Sequence, residues 1–142
     1  MYKKILVALE NSRADKAVLP HVCELAGHFD SELLLIHVAD GWAARNFDKL
    51  QLSESEEIKE DRAYLEKRAS ELREAGRKVR VHLAMGDPAT EIVRTARREH
   101  CDLIAMTAHG HRFLGDLVFG STINEVRHRA TAPVLLVRSP NK

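Results

Sequence analysis

Two glycine-containing segments late in the chain carry the residue types that could do chemistry. Thr107-Ala108-His109-Gly110 is followed by nine residues and then by Gly120-Ser121-Thr122. Glycine lets a backbone approach a ligand closely, and a helix start offers unpaired N–H groups and a positive dipole end. Such a pairing suits a phosphate. Other chemistries fit the same residues less well. His109-Gly110-His111 has no assigned carboxylate or cysteine partner, so it reads as a pair of loop histidines and not as a metal site. Ser121, His109 and Glu10 lack the G-x-S-x-G elbow of a hydrolytic serine. Neither a P-loop lysine motif nor G-x-G-x-x-G occurs in the sequence.

The elements that must position these residues follow from periodicity. Ile5 to Leu9, Leu33 to Val38 and Leu103 to Met106 are apolar runs of the kind buried in a parallel sheet, and Val134 to Val137 is an apolar strand that closes the sheet with an exposed edge. Val79 to Met85 alternates instead, with Arg80 and His82 on its polar side, which predicts an edge strand. Between the strands lie helical patterns. The first is led by Ser12 with Asp15 in capping-box position and ends near Asp30. A long charged helix spans Ser53 to Arg77 and stops at Gly76. A third begins at Asp87-Pro88 and buries Ala89, Ile92, Val93 and Ala96. The last is predicted to start at Thr122, with Glu125 completing its capping box. Residues 40–51, with the lone Trp42, form an irregular excursion.

Alternating strands and helices in 142 residues predict one α/β domain, 1–142, a doubly wound five-stranded parallel sheet with helices on both faces. Ligands in such sheets sit beyond the carboxyl ends of the strands, where the winding reverses. The ends of strands one, two and four therefore share a crevice with the Gly120-Ser121-Thr122 segment. Lys+Arg 22 against Asp+Glu 21 gives a net charge of +1, which offers no basic excess for nucleic acid. The composition, 44% hydrophobic and 30% charged, is that of a globular domain. Cys23 and Cys101 read as small buried hydrophobes. With no signal-peptide pattern and no apolar run of membrane-spanning length, the expected location is cytoplasmic, without a membrane partner.

These residues resemble the universal stress protein family over essentially the whole chain. The resemblance rests on Lys4 to Ala8, the Ser12-led helix, Leu35-Ile36-His37-Val38, Gly86-Asp87-Pro88, Asp102 to Met106, and Gly120-Ser121 with Pro133 to Val137. It implies the strand order 3-2-1-4-5 and a homodimer paired through Val134, Leu135, Leu136 and Val137. It also implies a cytoplasmic regulatory or sensory protein of the stress response, at most a slow ATPase. The expected cofactor is ATP, or AMP or ADP, with Mg2+ as a possible companion. Ala8, Leu9, Glu10, Val38 and Met106 would line the base and ribose pocket. Thr107, His109 and Gly110 would flank ribose and α-phosphate, and Gly120, Ser121 and Thr122 would hold the outer phosphates. The alternatives are a nucleotide-independent dimeric interaction module and a slow ATPase.

Two positions depart from the family pattern. Thr107 stands at the first motif glycine, and Glu10 stands where an aspartate is usual. A threonine is costly at Thr107 if that position needs a positive φ. Otherwise its hydroxyl is placed to hydrogen-bond the nucleotide.

Overall fold

The computed structural model describes residues 1–40, 51–109 and 116–139. Five parallel strands form one sheet in the order β3-β2-β1-β4-β5. They are β1 (Lys4–Ala8), β2 (Glu32–Asp40), β3 (Lys78–Gly86), β4 (Leu103–Ala108) and β5 (Val134–Arg138). The helices are α1 (Asp15–Phe29), α2 (Gln51–Glu74), α3 (Pro88–Arg98) and α4 (Asp116–Arg129). β1 is central: Leu6 stands in register with Leu34 on one side and Ile104 on the other. After β1 the chain winds outward through β2 and β3, then crosses to β4 on the other side of β1. The switch point lies between the carboxyl ends of β1 and β4.

The continuous apolar runs are explained by helices on both faces. Because side chains alternate along a strand, Ile5, Val7, Leu33 and Leu35 meet Val18 and Val22 of α1 and Leu65, Ala69 and Leu72 of α2. Leu6, Leu34, Ile36 and Ile104 meet Ile92, Val93 and Ala96 of α3 and Val126 of α4. β3 lies at the edge, as its alternation predicts, and β5 forms the other edge. Gly76, at φ 89°, follows α2. Asp87 caps α3 by accepting from the Thr90 amide at 2.9 Å, with Pro88 in the first helical turn.

Two helix starts differ from the sequence-based expectation. α1 begins at Asp15 instead of just after Ser12, and its N-cap, Ala14, makes no side-chain cap. Asp15 reaches back to the loop before it, accepting from the amides of Glu10, Asn11 and Ser12. α4 begins at Asp116, so Gly120-Ser121-Thr122 lies beyond its first turn, and Thr122 with Glu125 is no capping box. The unpaired amides of a helix start belong to the first turn. The excursion around Trp42 and the turn from Gly110 fall outside the described residues.

Candidate functional site

A cavity of about 710 Å³ opens at the carboxyl end of the sheet, within the size range of small-molecule sites. Its floor is the strand ends: Ala8, Leu9 and Glu10 after β1, Val38 in β2, and Met106 and Thr107 in β4. Consecutive residues of β2 point to opposite faces, so the cavity straddles the top of the sheet. On the α3/α4 side, Val38 is joined by Pro88, Ile92, Met106 and Ile123 in an apolar recess. On the α2 side, His37 is joined by Glu57, Ile58, Glu60 and Asp61, with Met85 two residues beyond its register partner Leu83 on the same face of the sheet.

Thr107 lies within β4, in register with Val137. It is not among the residues with positive φ, so a β-branched side chain suits the backbone there. Only 3% of the residue is exposed. Its Oγ1 is fully buried and has no hydrogen-bond partner among the described residues, and the residue is part of the cavity lining. Buried hydroxyls are ordinarily paired, so this one is an open valence beside the crevice.

The loop after β1 is drawn tight by buried Asp15. Besides the three backbone amides, its carboxylate accepts from the Tyr64 hydroxyl of α2 at 2.6 Å. Burial, followed by this bond to a carboxylate, pushes the Tyr64 phenol well above its ordinary range. Asn11 takes a left-handed conformation, φ 59°, which asparagine tolerates better than most residues. Its side-chain amide donates to Asp61 at 2.8 Å. His37 bridges the same elements, with Nδ1 2.9 Å from the Leu9 carbonyl and Nε2 3.5 Å from Asp61.

Across the switch point, His109 Nε2 lies 2.7 Å from both carboxylate oxygens of Glu10. Both side chains are largely buried. Burial holds the Glu10 carboxyl above the ordinary carboxylate value; the neighbouring His109 opposes that shift and Asp15 adds to it. The longer stem of glutamate thus reaches the end of β4 and ties it to the end of β1.

Of the residues expected at the site, Ala8, Leu9, Glu10, Val38, Met106, Thr107 and Thr122 line the cavity. His109 joins through Glu10. Ser121 is exposed on α4, Gly120 sits in that helix, and Gly110 lies outside the described residues. The sequence reading missed the α2 wall, His37, Met85, and the recess formed by Pro88, Ile92 and Ile123. Strand parity could have flagged His37 and Met85, because both share one face in the carboxyl-terminal halves of strands that reach the crevice. Among the described residues, no group of three or more His, Cys, Asp or Glu is arranged to hold a metal ion.

The pattern of the universal stress protein family matches residues 1–138. Universal stress protein MJ0531 of Methanocaldococcus jannaschii is 32% identical, over 100% of this chain and 85% of its own. MJ0577 of the same organism is 31% identical over 99% of this chain and 98% of its own. The solved MJ0577 structure superposes with a TM-score of 0.88 at 30% identity, covering 100% of this chain and 99% of that one. A universal stress protein from Archaeoglobus fulgidus, solved in complex with dAMP, shares the fold at TM-score 0.72 and 24% identity, over 96% and 98% of the two chains. The five-stranded order and a family match over nearly the whole length lead to one assignment: the chain belongs to the universal stress protein family.

Proposed function

We propose that this universal stress protein is a regulatory or sensory protein that binds an adenine nucleotide in the crevice above β1, β2 and β4. The observation that carries the reading is the Thr107 hydroxyl, buried and without a partner among the described residues, on a residue that lines the cavity. An unsatisfied buried hydroxyl destabilises the ligand-free protein, and a ligand acceptor placed against it removes that penalty. The recess of Val38, Ile92, Met106 and Ile123 suits an apolar planar base. Glu10 stands where a ribose hydroxyl would be met. The dAMP complex of the A. fulgidus protein supports an adenine nucleotide in this fold.

In the finer form of the reading, the ligand is ATP, with AMP and ADP as shorter versions. Mg2+ would be carried largely on the phosphates. The phosphates would run toward the first turn of α4, whose start at Asp116 moves the free amides upstream of Gly120. Two copies would pair through the β5 edge, where Leu136 is 40% exposed. A cytoplasmic stress-response role belongs to the same reading.

One observation favours a nucleotide-independent interaction module instead: the crevice carboxylate of Glu10 is already engaged by His109. The test is to denature the purified protein, analyse any released nucleotide, and then titrate the ligand-free protein with AMP, ADP and ATP, with and without Mg2+, following Tm. Released adenine nucleotide or a saturable rise in Tm is expected. No release and no shift with any of the three would refute nucleotide binding.

A further inference from the structure

The long charged helix α2 forms a wall of the cavity, yet among its described side chains the fully buried apolar anchors begin at Leu65. Upstream of that point Tyr64 packs partly against the core, and polar ties join the helix to the β1 loop and β2. Tyr64 donates to Asp15, and Asp61 meets Asn11 and His37. The His37 contact depends on a proton. The Leu9 carbonyl can only accept, so Nδ1 carries a hydrogen. In the neutral ring Nε2 is then an acceptor, facing the Asp61 carboxylate, which also only accepts. A second proton, on Nε2, turns this unpaired contact into a charge-assisted bond while leaving the Leu9 bond in place.

We propose that His37 and Asp61 form a protonation-dependent clamp that holds the first half of α2 against the β1 loop and strengthens nucleotide retention as pH falls. The retention half rests on the nucleotide reading above; the clamp itself does not. The sign follows from the pair. The clamp is complete while His37 is protonated and Asp61 ionised, and it is lost as rising pH removes the Nε2 proton. The titratable group in contact with the ring is Asp61; the same cavity is lined by Glu57 and Glu60 of α2 and by Glu10, paired with His109, and the loop beside it is held by Asp15 of α1, bonded to Tyr64 of α2. β3 stands in register with His37 through apolar Leu83. His37 and Asp61 are positioning residues, acting on the ligand through α2.

The deciding variant is Asp61→Asn. Its amide oxygen can still accept from Asn11, while its NH2 donates to neutral Nε2. The clamp is then complete in the neutral ring and broken by protonation, which inverts the pH dependence. His37→Gln removes the titration and serves as a second variant. The measurements are amide exchange across residues 56–64 of the ligand-free protein, corrected for intrinsic rates, and the AMP dissociation constant, both from about pH 5 to about pH 8, where histidines change charge. In the unmodified protein, acidification should slow exchange and tighten AMP binding about three- to fivefold, the scale of one partly buried ion pair. Asp61→Asn should reverse both trends and His37→Gln should flatten them. The phosphate of AMP titrates identically in every variant, so differences between variants report the clamp. Identical exchange profiles in the unmodified protein and Asp61→Asn would overturn the clamp, whether or not AMP binds. The expected exchange pattern with no AMP binding at any pH would overturn retention and the nucleotide reading while leaving the clamp standing.

Discussion

Replacing Thr107 with valine should make the protein more stable and a poorer nucleotide binder. The two side chains are nearly isosteric, and the β-branched shape suits the extended backbone of β4. What changes is one hydroxyl, buried with 3% of the residue exposed and without a partner among the described residues. An unmet buried polar group costs about 1–3 kcal/mol. Thr107→Val should therefore stabilise the ligand-free protein by about 1–2 kcal/mol, or roughly 3–8 °C in Tm for a domain of this size. In the complex, the same hydroxyl would pair with the ligand, so its removal should weaken binding about tenfold or more, each tenfold being about 1.4 kcal/mol. Thr107→Ser keeps the hydroxyl. It should retain affinity and lose about 1 kcal/mol of stability with the missing methyl. Urea denaturation and calorimetric titration with AMP or ATP measure both quantities. A valine variant with unchanged or lower stability would refute the unpaired hydroxyl, and unchanged affinity would refute its contact with the ligand.

Other parts of the fold make equally specific predictions. Asp15→Asn turns one acceptor oxygen into a donor facing the amides and phenol that bond to it, and should cost roughly 2–5 kcal/mol in urea denaturation; a loss below about 1 kcal/mol would contradict this role. A Cβ at Gly27 would lie 2.5 Å from Nη2 of Arg77, whose Nε donates to the Cys23 carbonyl at 2.7 Å. Gly27→Ala should therefore lose about 1 kcal/mol in the native background but gain about 1 kcal/mol of helix propensity when Arg77 is already alanine; equal effects in both backgrounds would remove the coupling. The Cys101 thiol is buried and pushed up to about 11 by that burial. At neutral pH it should be alkylated only on unfolding, after half-buried Cys23, and mass spectrometry showing Cys101 labelled as fast as Cys23 in the native protein would contradict its placement.

The sheet was legible because its signal is intrinsic to each strand. A strand covered on both faces needs only apolar residues, and the β3 edge shows alternation, as Val79 to Met85 does; the β5 edge is apolar throughout and only partly buried, so alternation does not mark it. α3 was legible for a similar reason: Asp87 and Pro88 cap it locally, and the Thr90 amide confirms the cap. The starts of α1 and α4 were not legible, because S/T-x-x-E/D is a local pattern that tertiary structure can overrule. At α1 the acidic member folds the preceding loop over itself. At α4 the chain is already helical from Asp116, so Gly120 is an interior glycine, tolerated at about 1 kcal/mol relative to alanine.

The site was legible along the floor of the crevice and illegible along its walls. The floor comes from strand ends, which any doubly wound sheet places together, so Ala8, Glu10, Val38 and Thr107 could be found by topology. The α2 wall depends on which face a mostly polar helix turns inward. Leu65, Ala69 and Leu72 fix that face, but Asp61 then lies one turn upstream, where it resembles any solvated carboxylate. Its meaning appears only when Asn11, in a left-handed backbone conformation, and His37, in β2, meet it. Thr107 is the reverse case. Spacing singled it out as a departure, and two outcomes followed from one unknown angle. Its extended backbone selects the second: a departure that would have been strain in a turn is, within a strand, an unstrained residue whose buried hydroxyl has no partner among the described residues.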